Sequence, residues 1–162
     1  MQIREANKSD YAAIWSIFEP IARAGETYAY SQNITYKEAI YAWVEAPRKT
    51  FVVEDNTKIL GTYYLKTNQA GPGGHVCNCG YIVSAEARGK GLATSMCKHS
   101  QQIALNLTYK AMQFNYVASS NVGAVRLWQK LGFDIVGQLP KAFNHPLHGF
   151  VDALVMYKWL GH

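Results

Sequence analysis

Tyr81-Ile82-Val83-Ser84-Ala85-Glu86-Ala87-Arg88-Gly89-Lys90-Gly91-Leu92-Ala93-Thr94 reads as a strand, a short loop and a Gly-rich helix start. The first turn of a helix presents backbone N–H groups with no intrahelical partner. The helix dipole adds about half a positive charge there, so phosphate oxygens supply the missing acceptors. Gly89 and Gly91 lack a Cβ, which lets such oxygens reach the backbone. The Gly-x-x-x-x-Gly-Lys-Ser/Thr loop of nucleoside triphosphate sites is absent. The Gly-x-Gly-x-x-Gly fingerprint of dinucleotide sites fails because Thr94 stands three positions after Gly91.

Outward from this turn, Val76 to Val83 alternates as a strand, and Gly80 inside it marks a bulge or a close backbone approach. A long helix follows from Gly89 to about Leu107, with Leu92, Met96, Ile103 and Leu107 on its buried side. Ala111 to Val117 is the next strand. A helix covers about Asn121 to Leu131, Gly132 stops it, and Phe133 to Val136 and Asp152 to Trp159 are strands. Toward the start, Gln2 to Ala6 is a strand and Asn7-Lys8-Ser9-Asp10 caps a helix with apolar Tyr11, Ile14, Phe18 and Ile21. Gly25 ends that helix, and Thr35 caps a second one that stops before Pro47. Phe51 to Glu54 and Ile59 to Lys66 form a hairpin across Asp55-Asn56-Thr57, and Asn68 to Gly74 is a loop. The order β-α-α-β-β-β-α-β-α-β-β predicts an α/β fold, a mixed sheet flanked by helices, as one domain over 1–162.

The chain has 162 residues, which allows one sizeable core without disulfides or metal. Lys and Arg exceed Asp and Glu by 16 to 11, giving +5, but they are scattered. A nucleic-acid partner would show a basic stripe, and a phosphate-bearing cofactor explains the excess as well. No apolar run reaches the ~20 residues of a membrane span, and the start lacks the apolar core of a secretion signal. The expectation is therefore a cytoplasmic protein with no membrane partner. The three cysteines form neither a disulfide framework nor a zinc set. His145 and His148 have loop-ligand spacing but no Asp, Glu or Cys beside them, so no metal is expected.

Arg88-Gly89-Lys90-Gly91-Leu92-Ala93 resembles the Arg/Gln-x-x-Gly-x-Gly/Ala signature of the GCN5-related N-acetyltransferase (GNAT) superfamily. A second block, Asn121-Val122-Gly123-Ala124-Val125-Arg126-Leu127-Trp128-Gln129-Lys130-Leu131-Gly132-Phe133, resembles that family's Asn-x-x-Ala-x-x-x-Tyr-x-Lys-x-Gly-Phe. The resemblance implies a mostly antiparallel twisted sheet and acetyl-CoA as co-substrate. It places the pyrophosphate on the backbone of Arg88 to Ala93, assisted by the Thr94 hydroxyl. The pantetheine arm would lie along Ile82 and Val83, with the oxyanion held by a backbone N–H near Ile82. A bulge at Cys79 or Gly80 would open the cleft. Asn121 would touch pantetheine, and Lys130 would meet either phosphate or solvent.

The same resemblance assigns an acid role to the position of Trp128, where the family carries Tyr. An indole N–H donates a hydrogen bond but is no practical acid. Gly25-Glu26-Thr27-Tyr28 resembles a loop of the phosphinothricin-type acetyltransferases, which makes Glu26 the candidate base. Asn78-Cys79-Gly80-Tyr81 and Phe114-Asn115 resemble fungal acetyltransferases of proline analogues such as azetidine-2-carboxylate. There Asn78 and Asn115 would hold an acceptor carboxylate, while Tyr28, Tyr30 and the loop from Lys141 to His148 line the pocket. The reading is an N-acetyltransferase of a small amine, an amino acid or proline-like imino acid. Rivals are a protein N-terminal or lysine acetyltransferase, a non-catalytic acyl-CoA-binding module and a nucleic-acid binder. A homodimer is left open beside a monomer.

Overall fold

The protein is described by a computed structural model over residues 1–161. In chain order the elements are β1 (Gln2–Glu5), α1 (Tyr11–Ala24), α2 (Tyr36–Ile40), β2 (Lys49–Asp55), β3 (Lys58–Thr67) and β4 (Val76–Val83). Then come α3 (Leu92–Asn106), β5 (Ala111–Ala118), α4 (Val122–Lys130), β6 (Asp134–His145) and β7 (Gly149–Trp159). The strands form one sheet in the order β1-β2-β3-β4-β5-β7-β6. Every neighbouring pair is antiparallel except β4 and β5, which run parallel. This is a mixed, mostly antiparallel sheet flanked by helices, in the element order expected.

Strand alternation divides the core between the two faces of the sheet. Phe51, Tyr63, Leu65, Cys77 and Tyr81 meet Leu92, Met96 and Ala104 of α3 and Trp128 of α4. Val52, Tyr64 and Ile82 face the other way, against Ile14, Ile17 and Phe18 of α1 and against Trp43. Helices thus cover both faces. Asn7 with Asp10 closes a capping box on the short 3-10 turn that runs into α1, Thr35 with Glu38 closes one on α2, and Gly25 ends α1 with φ of 66°.

Three expectations change. The helix after Thr35 is α-helical only to Ile40 and widens into a π turn over Tyr41–Glu45, which seats Trp43 fully buried. The last two strands are longer than alternation suggests: β6 and β7 pair out to His145 and Gly149, so most of the supposed loop from Lys141 to His148 is strand. β6 is an exposed edge strand, so it shows no apolar alternation, and an edge tolerates Pro140 without its N–H. The bulge expected at Cys79 or Gly80 is absent, because β3 and β4 stay in register from Gly61 opposite Val83 to Thr67 opposite Cys77. The break lies in β5, where Phe114 faces Met156 but Val117 already faces Leu154. Gly80 serves a close approach instead, since a Cβ there would lie 2.4 Å from Cε2 of Tyr64.

Candidate active site

β4 and β5 pair only over Val76–Asn78 and Ala111–Gln113, and beyond that point the sheet opens into a cleft. Asn78 stands at the fork. Its Oδ1 accepts from the Tyr64 hydroxyl at 2.9 Å and its Nδ2 donates to the Gln113 carbonyl at 2.9 Å. The residue is buried, so the two bonds satisfy a polar group that would otherwise be costly to enclose. Asn115, two positions beyond Gln113, is exposed; its Nδ2 donates to Asn68 Oδ1 at 2.7 Å and its Oδ1 accepts from Gln113 at 2.9 Å. The two amides expected to share a carboxylate are thus each committed to protein partners, and Asn78 pins the inner end of the cleft.

The outer half of β4 has no strand neighbour on the cleft side. Peptide groups alternate in direction along a strand. The Val76 carbonyl accepts from Asn68 on the β3 side, so Asn78, Gly80 and Ile82 turn their peptides to β3. Cys79, Tyr81 and Val83 turn theirs to the cleft. The Val83 peptide thus faces the cleft, whereas Ile82 pairs with Thr62 and its side chain is buried under α1. At Tyr81 both exposed groups are engaged by one side chain. The Tyr28 hydroxyl accepts from Tyr81 N and donates to Tyr81 O, each at 2.8 Å.

The cleft leads to the glycine turn. Arg88 is extended, Gly89 and Gly91 have φ of 76° and 77°, and α3 begins at Leu92 with no side chain capping it. A left-handed backbone at both glycines favours residues without a Cβ. Among the described residues, the adjoining ones apart, no heavy atom lies within 4 Å of where a Cβ would stand at either position. The turn thus offers free N–H groups to open space, the condition for holding a pyrophosphate. Leu92 is buried in the core and anchors the turn, while Arg88 and Lys90 are exposed and Ala93 and Thr94 half-buried. The Ser84 hydroxyl, just after β4, is buried with no hydrogen-bond partner among the described residues. Between this segment and α1 runs a groove of about 570 Å³ lined by Ile17, Ile21, Val83, Ser84 and Arg88.

On the far side of the cleft, Asn121 caps α4 by accepting from Ala124 N at 3.3 Å. Trp128 is buried, its ring 5.2 Å from that of Tyr81 and 5.0 Å from that of Phe114. Lys130 is exposed at the end of α4. Tyr28 and Tyr30 meet Gly25, Tyr116, Phe143 and Asn144 around a cavity of about 160 Å³. Glu26 is exposed in the same loop and does not line it. Tyr116 escaped the sequence reading, because only the β5 bulge turns it to this cavity, where its hydroxyl donates to the Ala142 carbonyl. His145 is buried and its Nδ1 accepts from Leu147 N at 3.1 Å and His148 N at 3.2 Å, which closes the β6–β7 turn.

A profile described as the acetyltransferase (GNAT) family matches residues 9–133. N-acetyltransferase aca1 of Schizosaccharomyces pombe is 33% identical over 107 residues, which are 65% of this chain and 51% of that protein. The chain therefore spans about half the length of this relative. A GCN5-related N-acetyltransferase structure from Kribbella flavida is similar with a TM-score of 0.92 and 39% identity, over 98% of this chain and 96% of that one. An N-acetyltransferase structure from Staphylococcus aureus Mu50 has a TM-score of 0.86 and 27% identity, over 98% of each chain.

Proposed function

Since the chain belongs to the GNAT acetyltransferase family, we propose that it transfers the acetyl group of acetyl-CoA to a small amine, with an amino acid or proline-like imino acid as acceptor. The observation that carries this reading is the cleft between β4 and β5, which runs to an uncapped, left-handed glycine turn open to solvent. In this reading the free N–H groups from Gly89 to Thr94 take the pyrophosphate, and the Val83 peptide edge takes the pantetheine amides. The oxyanion donor is the Tyr81 N–H, since the Ile82 peptide faces β3. Asn121 has its Oδ1 on the α4 cap and keeps its amide hydrogens for pantetheine. Arg88, Lys90 and Lys130, all exposed, supply positive charge near the phosphates.

A compact acceptor fits the cavity of about 160 Å³ walled by Tyr28, Tyr30, Tyr116 and Phe143 better than a peptide does. Asn115, exposed on β5, gives one Nδ2 hydrogen to Asn68, and we assign its second to an acceptor carboxylate. The attacking amine must be neutral, and Glu26, in the loop between cavity residues Gly25 and Tyr28, is the proposed base. Trp128 stays in the core against Tyr81 and Phe114, so the departing thiolate takes its proton from water. Among the described residues no helix is long and apolar enough to cross a membrane. We assign the reaction to the cytoplasm.

The test is thiol release from acetyl-CoA over a panel of amino acids, imino acids and peptide amines. Turnover with amino or imino acids above that with peptides is expected. Preference for peptides would reject the small acceptor. Tight acetyl-CoA binding without release on any amine would favour the non-catalytic reading that Trp128 suggests.

A further inference from the structure

The Tyr28 hydroxyl has a position that neither the acceptor cavity nor the family signature accounts for. Tyr28 lies in the α1–α2 loop and its side chain lines the cavity, yet its oxygen reaches across to the unpaired edge of β4. There it bridges the N–H and the C=O of Tyr81, 2.8 Å from each. The ring is held from behind: it lies 6.0 Å edge-on from Trp43 and 5.8 Å from Tyr30. Trp43 is fully buried and donates through Nε1 to Thr62 at 3.1 Å. The phenol thus sits on the backbone donor itself, accepting from the Tyr81 N–H while giving its own hydrogen to the Tyr81 carbonyl.

Taking the acetyl-CoA reading above as its basis, we propose that Tyr28 is a catalytic residue, a second donor that joins the Tyr81 N–H in holding the acyl oxygen while negative charge develops on it. An acyl oxygen that comes to share the Tyr81 N–H with the phenol oxygen arrives beside the phenol. On binding, the phenol hydrogen turns from the Tyr81 carbonyl to that oxygen, and the bond strengthens as charge develops on it. Donors fixed in advance need no reorganisation during reaction, which is where such sites gain their effect. The amine nitrogen bonds to the acyl carbon as the C=O π pair moves onto oxygen. The pair returns as the C–S bond breaks and sulfur leaves with its electrons. The amine proton goes to the base, and sulfur takes one from water. Tyr28 keeps its own proton throughout, and burial, which holds this hydroxyl well above the ordinary tyrosine range, keeps it a neutral donor.

Tyr28→Phe removes the donor and keeps the ring against Trp43 and Tyr30. The experiment is infrared difference spectroscopy of the full chain with acetyl-CoA, unlabelled against ¹³C at the acetyl carbonyl, alongside calorimetric titration. It needs no acceptor. The expected result is an affinity close to wild type and an acetyl carbonyl band at higher wavenumber in Tyr28→Phe, because one hydrogen bond to the oxygen is missing. With an acceptor from the panel, kcat should fall by about 100-fold with little change in KM, the scale of losing one such donor. A band at the same wavenumber in both proteins overturns the proposal. So does a marked gain in affinity in Tyr28→Phe, which would mean that the hydroxyl only blocks the site and leaves when acetyl-CoA enters. Wild type that does not bind acetyl-CoA at all overturns the underlying reading, and this proposal with it.

Discussion

The hydrogen atom at Gly80 lets the Tyr64 ring cross β4 and reach Asn78. A methyl group there would meet Cε2 at 2.4 Å and Cζ at 3.0 Å, and the ring has little room to retreat because Trp43 packs edge-on at 4.8 Å. Gly80→Ala should therefore cost about 1–3 kcal/mol of stability, the usual penalty of overpacking. Denaturant unfolding checks this, and an unchanged midpoint would contradict it. Asn78→Ala strips a partner from the Tyr64 hydroxyl and from the Gln113 carbonyl, so a loss of about 1–3 kcal/mol is expected there too. A variant as stable as wild type would show that Asn78 does not hold the fork. Gly80 stood out in the sequence as a glycine within a strand, and Asn78 by its resemblance to an acceptor-binding asparagine. Their reason did not, because it lies in a tyrosine on the neighbouring strand, and register is what brings Tyr64 opposite Gly80.

Among the elements, those built from local chemistry were legible: the capped turn that leads into α1, the capped start of α2, the glycine turn before α3 and the apolar stripe of α3 all follow from neighbours in sequence. What stayed hidden depends on partners far along the chain. The reach of β6 needs β7 beside it, and the β5 bulge that turns Tyr116 to the cavity has no marker of its own. Asn121 at the start of α4 combines a local and a distant role, and two substitutions separate them. Asn121→Asp keeps the oxygen that caps Ala124 N, so its stability should match wild type while acetyl-CoA affinity falls for want of an amide donor. Asn121→Ala should lose affinity and also about 0.5–2 kcal/mol of stability, the cost of an N-cap. Calorimetric titration and thermal melting measure the two quantities, and unchanged affinity in both variants would remove Asn121 from the cofactor site.

At the scale of the whole molecule, the early half is tied together by charge. Arg4 on β1 donates to both oxygens of Asp10 before α1, each at 2.8 Å, and to Glu54 on β2 at 2.8 Å. The Arg4 guanidinium holds the buried Asp10 carboxyl below its usual range, opposed by desolvation and helped by the Asn7 N–H. A carboxylate whose folded pKa is depressed contributes stability above its unfolded value, about 3.9, and loses it as pH falls through the folded value. Melting temperature should therefore drop below about pH 4, and Asp10→Asn should flatten that limb; an equally steep limb in the variant would place the acid sensitivity elsewhere. The account as a whole rests on the open end of the same sheet, where the β4 edge runs to Gly89 and Gly91. Calorimetric titration of acetyl-CoA into wild type and into Gly91→Glu, both shown folded by circular dichroism, tests it most directly. Saturable one-to-one binding by wild type, lost when a carboxylate enters the anion turn, is the predicted result. No binding by wild type, or equal affinity in the two proteins, would contradict it.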